Sequence, residues 1–131
     1  MRRELDEKLC AKYPTLFRDR HGDMRTTAMC WGFECDDGWY NLLDECCDKL
    51  SRLQPPHVAV QVKEKYGTLR FYLQGYSDEA DIILREAEDK SAVTCEVCGN
   101  PGKLYGRGWL KTLCAPCALK LDYQEFEAID V

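Results

Sequence analysis

The sequence predicts an α+β fold: a helical N-terminal domain with a short antiparallel β-sheet, followed by a small zinc-ribbon-like module. Three observations carry this. A long apolar stripe of helical period runs through residues 37–53. Two runs of period-two alternation follow, joined at Tyr66-Gly67. Near the C-terminal end, Cys95-Glu96-Val97-Cys98 and Cys114-Ala115-Pro116-Cys117 stand fifteen residues apart, the spacing of a tetrathiolate metal site.

In chain order, Leu5, Leu9 and Tyr13 recur four apart and predict a short helix over 4–13, ended by Pro14. Residues 18–27 are densely charged with little periodicity, which predicts a surface loop leading into an extended segment from Thr27 to Phe33. From about Asp37, Trp39, Leu42, Leu43, Cys46, Cys47, Leu50 and Leu53 fall on one helical face, with Asp36 or Asp37 available as the cap and Pro55-Pro56 as the stop. Val58, Val60 and Val62 alternate with Ala59, Gln61 and Lys63, as Leu69, Phe71 and Leu73 do with Arg70, Tyr72 and Gln74, and the Gly between the runs predicts a β-hairpin. Ser77 is placed to cap an acid-led helix from Asp78 to about Lys90, with Ala80, Ile83, Leu84 and Ala87 facing inward.

The domain boundary is expected at residues 90–93, giving an α+β domain over 1–91 and a metal module over 92–131. The module is too short to bury much apolar surface, so a metal staple is where its stability would come from. Lys103–Tyr105 and Trp109–Leu113 predict a small hairpin, and Pro116 can open a final helix lined by Leu119, Tyr123 and Phe126.

The motif chemistry centres on Cys95, Cys98, Cys114 and Cys117. Each C-x2-C pair can form a knuckle that aims two thiolates at one point, and two knuckles complete a closed tetrahedral cage. One structural Zn2+ is expected, with no open coordination position for catalysis. The remaining cysteines of the nine include Cys30, Cys35, Cys46 and Cys47, which with His21 or His57 could form a second site. The helical pattern instead makes Cys46 and Cys47 small hydrophobes. No nucleophile–base pair is evident, so no catalytic residue is assigned and a non-enzymatic protein is expected.

Net charge is −5 and the isoelectric point about 5.1, which argues against a general nucleic-acid coat. The module is locally basic from Cys95 to Lys120, where Lys103, Arg107, Lys111 and Lys120 stand against Glu96 alone. Trp109, Arg107, Tyr105 and Lys111 are therefore the first candidate contact residues, and Arg18, Arg20 and Arg25 the second, since guanidinium forks suit oxyanions. Lys63 and Arg70 with Tyr72 form a basic, aromatic hairpin face of the kind that stacks bases. No apolar run opens the sequence, and a cytoplasmic protein with reduced thiols and no membrane partner is expected.

The runs Arg18-Asp19-Arg20 through Met24-Arg25-Thr26-Thr27, Cys30-Trp31-Gly32-Phe33-Glu34 with Gly38-Trp39, and Val62-Lys63-Glu64-Lys65-Tyr66-Gly67-Thr68-Leu69-Arg70-Phe71-Tyr72, together with Cys95-x-x-Cys98-Gly99 and Gly106-Arg107-Gly108-Trp109, resemble small proteins encoded by tailed bacteriophages and prophages. The cysteine segment also resembles zinc ribbons in general. The resemblance implies a viral origin, the cytoplasm of an infected bacterium, and action by binding a host protein or nucleoprotein complex, counter-defence included. The alternatives are a nucleic-acid-binding protein that uses the zinc module and the Lys63/Arg70 face, and a binder of a phosphate-containing small ligand at Arg18–Arg25.

Overall fold

The computed structural model describes residues 1–106 and 108–125. The chain is a mixed α+β protein. Among the described residues it holds four α-helices, a three-stranded sheet and a separate two-stranded sheet.

Helix α1 (Arg3–Lys12) buries Leu9 and, less expectedly, Asp6. The reason is Arg20. Its guanidinium Nε lies 3.0 Å from Asp6 Oδ1, its Nη2 3.2 Å from Oδ2, and its Nη1 donates to the Cys30 carbonyl at 3.1 Å. The charged stretch after α1 is thus strapped to the helix by a paired, largely desolvated arginine.

Residues 29–31 form a turn of 3-10 helix where an extended run was expected. Thr27 Oγ1 accepts from the Met29 N–H at 3.1 Å, and local bonding of this kind favours a turn over a strand. The turn sinks Met29 into the core and delivers β1 (Phe33–Glu34).

The central helix arrives in two steps, a 3-10 turn at Asp37–Trp39 and then α2 (Tyr40–Ser51). Leu42, Leu43, Cys46, Cys47 and Leu50 are buried along its inner face. Neither Asp36 nor Asp37 caps it by side chain. Asp37 instead takes Arg2, and Asp36 takes Lys111 of the cysteine segment.

Strands β2 (Ala59–Lys65) and β3 (Thr68–Leu73) form the expected antiparallel hairpin, and β1 pairs in parallel with β2, with α2 in the crossover. Tyr66 and Gly67 both have positive φ (54° and 85°), the requirement of a tight two-residue hairpin turn. The register shifts between Ala59 and Gln61, so strict alternation of Val58, Val60 and Val62 does not hold. Ala59 and Val62 enter the core, while the Val60 carbonyl accepts the Ala28 N–H at 3.1 Å.

Helix α3 (Asp78–Ser91) is capped as expected, Ser77 Oγ accepting from the Ala80 N–H at 3.1 Å. It packs on α2 and β3 through Ala80 and Ala87, with Ile83 and Leu84 partly buried against the same core.

Strands β4 (Lys103–Tyr105) and β5 (Lys111–Leu113) pair antiparallel, and α4 (Ala115–Lys120) carries its proline in the first turn. Helix α4 is shorter than the expected one. Leu119 is 84% exposed rather than on an inner stripe, and the buried residues are Cys117 and Ala118. Tyr123 lies past the helix and packs on the module's small core, while Phe126 is outside the described residues. Among the described residues, no helix is long and apolar enough to cross a membrane.

Candidate metal centre

Both C-x2-C knuckles form. The Cys95 N–H donates to the Asn100 carbonyl at 2.7 Å and the Gly99 N–H back to the Cys95 carbonyl at 2.9 Å, which wraps the first pair. The second pair sits at the start of α4, where the Ala118 N–H donates to the Cys114 carbonyl at 2.9 Å.

The four sulfurs of Cys95, Cys98, Cys114 and Cys117 lie within 4.8 Å of one another, with Cys98 Sγ and Cys114 Sγ 3.5 Å apart. A tetrahedral site with metal–sulfur bonds of about 2.3 Å has sulfur–sulfur edges of about 3.8 Å, so the spacing fits a single ion. The donor set is soft and all-sulfur, as such an ion requires. Among the described residues this is the one cluster of three or more metal-ligating side chains.

The local electrostatics agree with that geometry. Burial opposes ionisation of Cys95, yet backbone N–H groups of Cys98, Cys114 and Val97 outweigh it and bring the thiol down to about 7. Cys117 is pushed up to about 12, first by the hydrogen bond with Cys114 and then by burial. Four thiols this close cannot all ionise against one another. A bound cation removes that conflict, since coordinating thiols lose their protons.

The module does not hang free. Gly38 N–H donates to the Glu96 carbonyl at 2.7 Å, Asp36 N–H to Glu96 Oε2 at 3.0 Å, and Trp39 Nε1 to the Thr94 carbonyl at 2.9 Å. Thr112 Oγ1 donates to the Gly67 carbonyl at 2.6 Å. A Cβ at Gly38 would run into the Cys95 carbonyl, so only glycine allows the start of α2 this close to the first knuckle. Lys111 Nζ sits 3.1 Å from Asp36 Oδ2 and 3.4 Å from Glu96 Oε1. Burial pushes the Glu96 carboxyl up, a shift that Lys111 and the Asp36 N–H only partly offset. Glu96 is thus the buried polar hub of a seam between the first knuckle and the N-terminal unit. Its place directly after the first cysteine of the cluster was the available signal, but sequence showed it only as the lone acid between Cys95 and Lys120.

The other candidate residues are scattered. Trp109 stands 79% exposed on the β4–β5 connection, beside a cavity of about 330 Å³ lined by Gly106, Asp122, Tyr123 and Gln124. Tyr105, expected as a contact residue, is instead 8% exposed within the module's core. Lys111 is committed to the seam. Arg107 lies outside the described residues. Of the second group, Arg20 is held by Asp6. Arg25 and Arg18 are exposed beside Asp23 and Asp19, at 2.9 and 4.0 Å. The arginines of this stretch are therefore not gathered into one oxyanion site.

Cys35, Cys46 and Cys47 are buried in the larger core. Burial pushes the Cys35 and Cys46 thiols up to about 12 and raises Cys47 well above its ordinary value. His57 Nε2 lies 3.3 Å from Ser77 Oγ, but that hydroxyl is the α3 cap.

No family model matches this chain, and no curated protein or solved structure matches it either.

Proposed function

We propose that this protein is a non-catalytic, zinc-stapled binding protein that attaches to and modulates a host protein or nucleoprotein complex. The observation that carries the reading is the pairing of a closed four-sulfur cluster with a bare tryptophan. All four donors are consumed by one ion, leaving no position for substrate. The same small module presents Trp109 to solvent, and exposed tryptophan beside a cavity is a frequent anchor of protein interfaces. The protonated core thiols and the occupied Ser77 hydroxyl support a non-catalytic role, since neither offers an activated nucleophile. Zinc suits an all-thiolate tetrahedron whose task is folding. The resemblance to phage proteins directs the search to bacterial complexes, with immune complexes first.

The test is a tagged pull-down from bacterial lysate, with and without nuclease, comparing the natural chain with Trp109→Ala. A protein band that survives nuclease and disappears in the variant is the expected result. Identical bands in both samples would remove Trp109 as the anchor. Bands lost only on nuclease treatment would mean that nucleic acid mediates the attachment.

A further inference from the structure

We infer that the groove between β3 and α3, with the adjoining outward face of the hairpin, binds single-stranded nucleic acid. This surface is separate from Trp109 and does not rest on the zinc reading.

The groove has a volume of about 250 Å³ and is lined by Arg70, Tyr72, Tyr76, Asp81, Arg85 and Glu88, over a floor of Leu69, Phe71 and Leu84. Two tyrosines flank it, Tyr72 at 39% and Tyr76 at 56% exposure. The Tyr76 hydroxyl accepts the Leu73 N–H at 3.5 Å, which holds its ring beside the strand end. Aromatic rings placed this way are the sequence-tolerant stacking platforms of single-strand binders.

The cations meet the same groove. Arg70 Nη1 is 3.3 Å from Glu88 Oε1, but its Nε is buried and has no partner among the described residues. With Nε shielded, it is the rest of this 36%-exposed side chain that can meet a phosphate oxygen at the groove. Arg85, one helical turn from Glu88 and Asp81, is exposed and makes no ion pair among the described residues. The register sets Lys63 directly opposite Arg70 and Gln61 opposite Tyr72, so the basic and aromatic side chains continue across the sheet from β3 to β2.

The balance of charge selects the ligand. Asp81 and Glu88 balance Arg70 and Arg85 within the groove, Lys63 adds one cation across the sheet, and the chain as a whole is acidic. Duplex binding, which depends on many phosphate contacts, is disfavoured, and a duplex also withholds its base faces from Tyr72 and Tyr76. A single strand can stack bases on the tyrosines while placing a few phosphates at Arg70, Arg85 and Lys63.

The test is fluorescence anisotropy with the full chain and labelled single strands of about 15 nucleotides, RNA and DNA in separate arms, with a duplex control. Single strands should bind better than duplex. Three phosphate contacts predict a slope of log K against log salt of about −2. Tyr72→Ala and Tyr76→Ala should each weaken binding about tenfold, and Arg70→Gln and Arg85→Gln should flatten the slope. Trp109→Ala should change nothing, which separates this surface from the pull-down result. Thermal melts establish that each variant is folded. Absence of single-strand binding overturns the proposal. So does binding indifferent to all four groove substitutions in folded protein, duplex binding of equal strength, or a groove that takes an acidic peptide in preference to the strand.

Discussion

The two hydrophobic clusters of this protein use cysteine in opposite ways. The larger, built from α1, α2, α3 and the three-stranded sheet, gathers twenty buried residues among those described, and Cys35, Cys46 and Cys47 sit among them as small apolar groups. The smaller gathers six among the described residues, and three of those belong to the four-sulfur cluster. In the first, burial holds thiols protonated. In the second, N–H groups of the knuckles pull Cys95 toward thiolate. A large core can desolvate a thiol because surrounding side chains supply the free energy of folding. The six described residues of the smaller cluster offer far less, and its four gathered sulfurs could draw the missing stability from an ion.

Substituting Cys98→Ser should break this comparison most severely. Metal content should fall from about one equivalent per chain toward zero, because a structural tetrahedral site needs all four ligands. Residues 94–125 should lose their cooperative melt, as binding free energies of about 10 kcal/mol or more are folding free energy in such modules. Since Trp39 donates to the Thr94 carbonyl, tryptophan fluorescence should change as well. An unchanged melting curve with metal lost would mean that the seam alone holds the module.

Next in size is the N-terminal unit's own polar clasp. Asp6→Asn leaves the Arg20 guanidinium without its charge partner in a site where the two side chains are only 12% and 21% exposed. The expected cost is about 3 kcal/mol, read as a lower melting temperature at undiminished metal content. A cost near zero would show that the clasp is as weak as an exposed ion pair.

Cys46→Ala sharpens the contrast directly. Removing one buried sulfur should cost about 1 kcal/mol through the small cavity left behind, and the metal-to-protein ratio should stay at about one. A halved metal content would move Cys46 from the apolar class to the ligand class.

The smallest expected effect is one of pH. Burial opposes ionisation of Asp44, but the Lys12 ammonium at 2.7 Å and the Tyr13 hydroxyl at 2.5 Å outweigh it and hold the carboxyl below its usual range. A carboxyl depressed in the folded state binds its proton more readily when unfolded. Its contribution is therefore complete above the ordinary carboxylate pKa of about 4 and fades as pH falls through the lower folded value. Asp44→Asn should lower stability by about 1 kcal/mol or less near neutrality, with the gap from the natural chain closing in acid. A gap that widens below that range would reverse the assignment.

Much of this architecture was legible in the sequence because its signals are local. The α2 stripe, the Ser77 cap, the Tyr66-Gly67 turn and both knuckles each depend on residues a few positions apart, where periodicity and backbone sterics act directly. The β2 register shift, the 3-10 turn at residues 29–31 and the short α4 were missed because hydrophobic pattern does not carry them: Thr27 Oγ1 accepts the Met29 N–H two residues on, and the Ala59 N–H and Val60 carbonyl bond the backbone of Leu16 and Ala28. Contact residues fared unevenly for the same reason. Trp109 is exposed, whereas Tyr105 and Lys111 are drawn inward by neighbours that spacing does not reveal.

By itself the sequence determined the α+β class, the main elements and the four cysteines that gather into one cluster, since short-range covalent spacing fixes where a knuckle can form. Only the tertiary structure decided that Asp6 and Arg20 clasp one another, that Glu96 is buried against Asp36 and Lys111, and that Tyr72, Tyr76, Arg70 and Arg85 share a groove. Those pairings join residues far apart in the chain. Which partners meet depends on how the helices and the sheet pack, and packing minimises buried unpaired charge and apolar exposure over the whole molecule at once.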